Sequence, residues 1–297
     1  MKFFASWTTR EPLFQCYDSQ CCVLVSPSGV PLAWSISKWT SLPNNLFIDS
    51  GAFSVRSNKI VSCKDVLERQ LFMTKGWPSN RPLYFSHPDI LIPVKATFEE
   101  TNKIVNRSIE RAQVYFDLVS KRNTNATPIG VIHGFDEETI LNTYETFLDI
   151  GYHHFALGSL AIRKTRYKDL CLKTIRLAER YGIKPLHIFG IALPINTAFS
   201  MPGIDSFDSA SATKLAFYGT VLYGPPLKRY VIAPNAKQKY QDTNFTFRES
   251  LSEPLPCKCP VCKLDAEGLI PYSGREAKNN RIIHNYFQIK WAMKKIP

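Results

Sequence analysis

The chain has 297 residues, with 37 Lys and Arg against 25 Asp and Glu, a formal net charge of +12. Hydrophobic residues make up 44% and charged residues 21%, which excludes a disordered or fibrous chain and provides for a sizeable core in one large α/β unit. The positive excess favours a polyanion as partner, above all nucleic acid. No apolar run reaches the ~20 residues of a bilayer span. The apolar stretch Met1–Trp7 is too short for a secretory leader and is interrupted by Thr8–Glu11. The expected location is therefore cytoplasmic (a host's cytoplasm if the chain is viral), where thiols stay reduced.

Taken in chain order, strands are predicted at Cys22–Ser26 and Leu46–Asp49, then a helix at Asp65–Lys75. A strand at Leu83–Ser86 precedes Thr97-Phe98-Glu99-Glu100, a capping box opening a helix to about Arg122. In it Ile104, Ile109, Ala112, Phe116 and Val119 recur at helical spacing. A strand at Ile129–His133 leads to a helix at Glu138–Ile150, stopped by Gly151. A strand at His154–Gly158 leads to a helix at Tyr167–Tyr181, stopped by Gly182. Strands at Leu186–Gly190 and Ile204–Asp208 follow. Seven strands with helices between them imply a parallel sheet, and fit a (β/α)8 TIM barrel better than an open sheet. After Asp208 the texture changes. Gly219–Tyr223 and Arg229–Ala233 flank Gly224-Pro225-Pro226 as a hairpin, and a polar segment leads to a cysteine cluster and a last helix near Glu276–Lys295. The chain thus reads as one barrel domain, 1–297, with a metal-binding subdomain over about 228–297.

Cys257-Lys258-Cys259-Pro260-Val261-Cys262 is a tight C-x-C-x-x-C cluster, and His284 follows within a helical pattern. Three thiolates and an imidazole make a tetrahedral zinc site. Four protein ligands close the coordination sphere, so the zinc is expected to be structural and to pin the last helix to the loop before it. Cys16, Cys21, Cys22, Cys63 and Cys171 show no ligand spacing and read as ordinary core or surface thiols.

In an α/β barrel the functional residues lie at the C-terminal ends of the strands. Those positions hold Asp49-Ser50-Gly51-Ala52-Phe53, Ser86-His87-Pro88-Asp89, His133-Gly134, Gly158-Ser159-Leu160-Ala161, Phe189-Gly190 and Phe207-Asp208-Ser209. Three aspartates at the ends of different strands are thus expected to converge on one mouth, although any one of them alone reads better as a helix N-cap.

Together these segments resemble the tRNA-guanine transglycosylase family, from about Phe47 to Gln288. The most specific parts are Asp49-Ser50-Gly51-Ala52-Phe53, Gly203-Ile204-Asp205-Ser206-Phe207-Asp208 and the cysteine cluster with His284-Asn285. The resemblance implies a zinc-containing TIM barrel that exchanges guanine for a 7-deazaguanine base through a covalent glycosyl-aspartate. By position it implies Asp208 as nucleophile and Asp49 as general acid/base. Asp89 would bind the purine edge, and Phe53 and Phe189 would sandwich the base. Ser50, His133, Gly158, Ser159, Leu160 and Gly190 would line the base site.

Two departures refine the expected substrate. His133 stands where bacterial members have glutamine, and Ser209-Ala210-Ser211-Ala212-Thr213-Lys214 replaces a segment that carries arginine in tRNA enzymes. With the short chain, these favour the 7-deazapurine DNA transglycosylases of phages and bacterial islands, which insert preQ0 or a relative into DNA and so evade restriction. The alternatives are a queuine/preQ-type enzyme acting on tRNA and a non-catalytic nucleic-acid-binding member. Expected partners are DNA, with tRNA as alternative, the 7-deazaguanine base, and a second copy or helper proteins.

From Lys228 onward there are 13 Lys and Arg and 6 Asp and Glu, so +7 of the +12 lies there. Lys237, Lys239, Lys258, Lys263, Arg275, Lys278 and Arg281 flank the cysteine cluster and, with Lys214, are expected to meet phosphates. Tyr286, Phe287 and Trp291 read as core of the last helix.

Overall fold

The structure is a computed structural model describing residues 1–51, 61–93, 95–133, 136–158, 175–190, 203–232, 245–247, 257–271 and 273–295. Its centre is a closed barrel of eight parallel strands, each hydrogen-bonded to the next in sequence and the last to the first. They are β1 (Lys2–Trp7), β2 (Cys22–Val25), β3 (Asn45–Ile48), β4 (Leu83–Ser86), β5 (Ala126–Ile132), β6 (Phe155–Leu157), β7 (Leu186–Ile188) and β8 (Ser206–Ser209). The expected TIM barrel is therefore present. Each of the seven predicted strands occurs, shifted by no more than three residues at either end. The eighth is β1, the segment weighed above only as a leader. It closes the ring through Phe4↔Asp208 on β8 and Phe4↔Cys22 on β2.

Side-chain alternation divides the strands into two faces. Phe4, Cys22, Leu24, Phe47, Ile129 and Ala156 fill the barrel, with Tyr84 and Phe189 packed on them. The alternate residues Phe3, Ala5, Val23, Val25, Leu46, Ile48, Leu83 and Phe85 belong to the layer between sheet and helices.

The helices begin where their caps dictate. In α1 (Cys63–Met73) the Ser62 side chain accepts from Asp65 N–H. In α2 (Phe98–Ser120) Thr97 and Glu100 form the predicted capping box. Its buried stripe is Thr101, Val105, Ser108, Ala112, Tyr115 and Val119, with Ile104, Ile109 and Phe116 at the margin. In α3 (Glu137–Ile150) Asp136 caps Thr139 N–H. Residues 175–180 are helical, within the predicted third helix. The short α4 (Ser211–Phe217) follows β8 directly, an element the sequence reading left out.

Beyond the barrel, β9 (Thr220–Tyr223) pairs antiparallel with β10 (Lys228–Val231), as predicted, and β10 pairs parallel with β11 (Phe245–Phe247). Then come α5 (Pro260–Asp265) and α6 (Arg275–Lys295). α6 returns to the barrel floor. Tyr286 packs on Phe14 and Phe3 at ring-centroid distances of 4.8 and 5.8 Å and donates to Asp18 at 2.6 Å. Lys290 pairs with the same carboxylate. Among the described residues no helix is long and apolar enough to cross a membrane.

Candidate active site and metal centre

The C-terminal ends of the strands bring three carboxylates to one mouth. Asp208 lies within β8, where alternation turns it into the barrel and Phe207 outward into the core. It is buried, and donors meet both of its oxygens. Gly190 N–H donates to Oδ1 at 2.7 Å, and the Ser6 hydroxyl donates to Oδ2 at 3.0 Å. His187 Nε2 lies 3.4 Å from Oδ1.

Asp49 is the first residue after β3. Its Oδ1 accepts Gly51 N–H at 2.7 Å, closing a turn that needs the positive φ of Gly51, 76°. Burial pushes its carboxyl up to about 7. Hydrogen bonds from Gly51 and Ser26 oppose this, and the negative charges of Asp208 and Asp89 add to it. Its backbone is fixed from below by Gln70 of α1, fully buried, whose Nε2 lies 3.3, 3.1 and 3.0 Å from the carbonyl oxygens of Ile48, Asp49 and Ser86. Tyr115 in turn donates to Gln70 Oε1.

Asp89 follows β4. Its Oδ1 accepts the Ser50 hydroxyl at 3.0 Å, and its Oδ2 lies 3.0 Å from His133 Nε2. Burial would raise this carboxyl, but the hydrogen bond and charge of His133, with help from His87 and Ser50, hold it below the usual carboxylate range. His87 behaves oppositely. Burial drives its imidazole down to about 4, so it is neutral, with Val131 N–H donating to its Nδ1 at 3.2 Å.

Phe189 and Gly190 lie together at the end of β7. The Phe189 ring packs on Phe47 and His187 at 5.4 and 4.8 Å. Gly158 lies beside His133 and Val131. Thus Asp49, Ser50, Asp89, His133, Gly158, Phe189, Gly190 and Asp208 all occupy the one mouth. Phe53, Ser159 and Leu160 lie outside the described residues.

The metal ligands expected from sequence also come together. One donor atom from each of Cys257, Cys259, Cys262 and His284 lies within 4.8 Å of the others. His284 Nδ1 is 3.5, 3.7 and 3.3 Å from the three sulfurs. A tetrahedral ion with bonds of roughly 2.1 Å to nitrogen and 2.3 Å to sulfur sets those atoms about 3.5 Å apart, so the cluster fits a metal. The outer contacts fit as well. His284 Nε2 lies 2.8 Å from the Leu222 carbonyl, which fixes the tautomer with Nδ1 toward the sulfurs. Gln288 Nε2 donates to Cys257 Sγ at 3.1 Å, and Cys262 N–H to Cys259 Sγ at 3.4 Å. The neighbour Asn285 spans Leu222 N–H, Ala212 O and Thr220 O at 2.7, 3.1 and 3.1 Å. His284 therefore ties the cluster to β9, and Asn285 ties α6 to β9 and to α4, the helix that follows Asp208 in the chain.

Residues 85–296 match the family model described as queuine tRNA-ribosyltransferase. The chain belongs to this family. The matched span holds Asp89, Asp208 and the Cys3His cluster, whereas Asp49 precedes it. Among curated relatives, a DNA-guanine transglycosylase of Salmonella montevideo is 31% identical over 109 residues, 34% of this chain and 24% of the relative. A tRNA-guanine(15) transglycosylase of Methanosarcina mazei is 24% identical over 208 residues, 67% of this chain and 37% of the relative. That of Methanosarcina acetivorans is 29% identical over 147 residues, 47% and 25%. The matches therefore span from about a quarter to somewhat over a third of the length of these relatives.

The basic residues of this family member divide into two kinds. Lys214, Lys258, Lys263 and Arg275 are exposed, and Lys278 is half-buried with its ammonium 5.5 Å from the Phe217 ring centroid. Arg281 corrects the sequence reading. It is fully buried, and its guanidinium donates to the carbonyls of Ala216, Leu269 and Pro271 at 3.0, 2.7 and 2.7 Å. It therefore cannot meet a phosphate. Lys237 and Lys239 lie outside the described residues.

Three residues of the mouth were missed: Ser6, Gln70 and His187. A polar residue two positions from Phe4 in an apolar run, and a histidine two positions from Phe189, carry the period-2 signal of an inward face. That signal becomes usable only once β1 and the barrel register are known.

Proposed function

We propose that the chain is a base-exchange transglycosylase, a pentosyltransferase that replaces guanine in nucleic acid by a 7-deazaguanine. The observation that carries the reading is the pairing of two unlike carboxyls at one barrel mouth. Asp208 is oriented by two donors, Gly190 N–H and the Ser6 hydroxyl, and Asp49 has its carboxyl raised to about 7. A pair of carboxyls with divergent environments is what acid/base plus nucleophilic work at a glycosidic bond requires.

In the first half, ionised Asp208 attacks C1′ of the target nucleoside. The C1′–N9 bond breaks, guanine takes the electron pair, and the Asp49 proton passes to the departing base. In the second half, Asp49 accepts the N9 proton of the incoming base. N9 attacks C1′, and the bond to Asp208 breaks to restore its carboxylate. Asp89, kept ionised by His133 and Ser50, accepts from the amino and imino groups of the purine. Phe189 forms one wall against the base, with Phe53 opposite by the resemblance, and excludes water that would hydrolyse the intermediate. By the resemblance, Ser159 and Leu160 are the positions that would meet the base through their backbone.

The Cys3His cluster holds zinc, which suits three thiolates and an imidazole. Its ligands anchor α6 and take no part in the exchange. Exposed Lys214, Lys258, Lys263 and Arg275 meet phosphates, with Lys237, Lys239 and Lys278 nearby in sequence.

DNA is the favoured polymer. Supporting it are the lysine-bearing Ser209–Lys214 segment and the Salmonella relative named for DNA. The reading on tRNA is supported by the archaeal relatives named for tRNA. The experiment is incorporation of radiolabelled preQ0, and separately of labelled guanine, into DNA and into tRNA by purified protein. Label in DNA alone supports the DNA reading, label in tRNA alone overturns it, and label in neither overturns exchange.

A further inference from the structure

His187 is a polar side chain buried inside the barrel, with no role assigned above. Its ring is enclosed by Phe4, Phe47 and Phe189 at centroid distances of 5.7, 4.9 and 4.8 Å. An imidazole in such surroundings is costly unless both nitrogens are satisfied. Both have partners. Nδ1 lies 2.9 Å from Ser206 Oγ, and Nε2 lies 3.4 Å from Asp208 Oδ1. Ser206 and Asp208 are alternate residues of β8, so one strand supplies both partners, and the register His187↔Ser206 sets the imidazole between them.

We propose that His187 is a positioning residue that presents an N–H to the Asp208 carboxylate, with Ser206 fixing the tautomer. The proposal rests on the reading of Asp208 as nucleophile. The tautomer argument is electrostatic. A lone pair on Nε2 facing the carboxylate would be repulsive, whereas an Nε2–H is attractive and leaves Nδ1 to accept the Ser206 hydroxyl. Gly190 N–H meets the same oxygen and Ser6 meets the other, so the carboxylate is held from three sides.

The consequence for the exchange is asymmetric. A donor to the nucleophile stabilises its ionised form, which tempers attack on C1′. The same donor stabilises the carboxylate that departs when the incoming base attacks. His187 therefore assists the second half, in which the C1′–O bond to Asp208 breaks and the electron pair returns to the carboxylate beside Nε2–H.

The test measures both halves separately on full-length protein. Adduct formation is followed with nucleic acid alone, and adduct decay is followed by a chase with excess 7-deazaguanine base. His187→Phe keeps a planar aromatic ring, slightly larger, and removes the donor. Its chase is expected to slow by ~10-fold or more, the factor belonging to a hydrogen bond to a charged group, with formation and the KM for nucleic acid within ~3-fold of the parent. His187→Gln, which can present an amide N–H, should recover most of the chase rate. Ser206→Ala should fall between parent and His187→Phe. Equal slowing of both halves, a Gln variant no better than Phe, or a chase unchanged in His187→Phe overturns the proposal. If the parent itself forms no adduct on Asp208 with either DNA or tRNA, the nucleophile reading falls and takes the proposal with it.

Discussion

Gly158 and His133 occupy one space. A Cβ on Gly158 would lie 2.4 Å from His133 Cε1 and 2.9 Å from its Nδ1. The absence of a side chain at the residue after β6 leaves the space in which the imidazole that follows β5 reaches Asp89. Gly158→Ala is therefore expected to swing the ring and break the 3.0 Å contact with Asp89. The KM for the incoming base should rise by roughly tenfold or more, and stability should fall by about 1–3 kcal/mol from overpacking. In a His133→Ala background most of that stability cost should vanish, leaving only the approach to Val131 Cγ1 at 2.8 Å. Steady-state kinetics and denaturant melts of the two single variants and the double variant check this. Additive costs would disprove the shared space.

Asp49 gives a pH dependence with a definite sign. Its carboxyl rises from an ordinary 3.8 to about 7, so the folded protein holds this proton more tightly than the unfolded chain. Kinetically, the free enzyme needs the protonated form to assist departure of guanine. The kcat/KM for nucleic acid should then fall with increasing pH above about 7, and the Asp49→Asn variant should be slow and lack that limb. Thermodynamically, the ionised form is the disfavoured one in the fold. Stability is lost as pH rises from about 4 to 7, by at most roughly 4 kcal/mol from this group. Asp49→Asn should therefore be more stable than the parent at pH 8 and equal to it at pH 3. A parent whose stability rises over that range through this residue would contradict the assignment.

Much of this could be read from the amino acids because the signals were local. The capping box at Thr97 and Glu100, the cysteine cluster and the short apolar strands each carry their pattern within a few residues. What escaped depends on distant partners. β1 looked like a bare apolar stretch because its pairing with β8 spans two hundred residues of chain. Arg281 looked like one more surface cation in a basic segment. Its burial follows from three carbonyls supplied by α4 and by the loop before α6, which no spacing announces. Ser6 and His187 are ordinary polar residues until the register of β1, β7 and β8 aims them at one carboxylate.

Metal removal should act on the fold first and on the mouth second. His284 and Asn285 are adjacent on α6, one at the cluster and one bonded to Ala212 of α4. Chelation, or Cys259→Ser, should free one metal ion per chain, lower the thermal midpoint, and render Cys257 and Cys262 reactive to a thiol reagent. Helix loss by circular dichroism should accompany it, because structural metal binding is folding free energy. Exchange should then decline because α4 follows Asp208 directly. A chelated protein with unchanged melting and full thiol protection would show that the cluster is not a structural metal site.

The exposed cations should report through salt. Each phosphate neutralised by Lys214, Lys258, Lys263 or Arg275 contributes about 0.9 to the slope of log K against log salt on duplex DNA. Alanine at one of these positions should weaken binding to all sequences alike and lower the slope by about one unit. Arg281→Ala, by contrast, should remove the donor shared by the Ala216, Leu269 and Pro271 carbonyls and leave a cavity in the core, so it should appear as lost stability, not as a changed slope. Fluorescence-anisotropy titrations at several salt concentrations separate the two outcomes.

Gln70 joins two of the three carboxylates without touching either. Its amide meets the carbonyls of Asp49 and Ser86, the ends of β3 and β4, and its own oxygen accepts from Tyr115. Gln70→Leu matches its volume roughly and removes all of these bonds inside a fully buried space. A cost of about 2–4 kcal/mol is expected, because the orphaned carbonyls and the Tyr115 hydroxyl keep their desolvation penalty. Gln70→Glu tests the direction of the bonds. A carboxylate there would keep the Tyr115 hydroxyl at one oxygen but set its other oxygen against carbonyl oxygens, so the side chain must take up a proton, and the variant should lose stability as pH rises above its raised carboxyl value. Both variants should also lose exchange activity beyond what the stability loss accounts for at low temperature, since Asp49 and Asp89 no longer share a common anchor. Full activity in the folded Gln70→Leu protein would mean that β3 and β4 hold those carboxylates unaided.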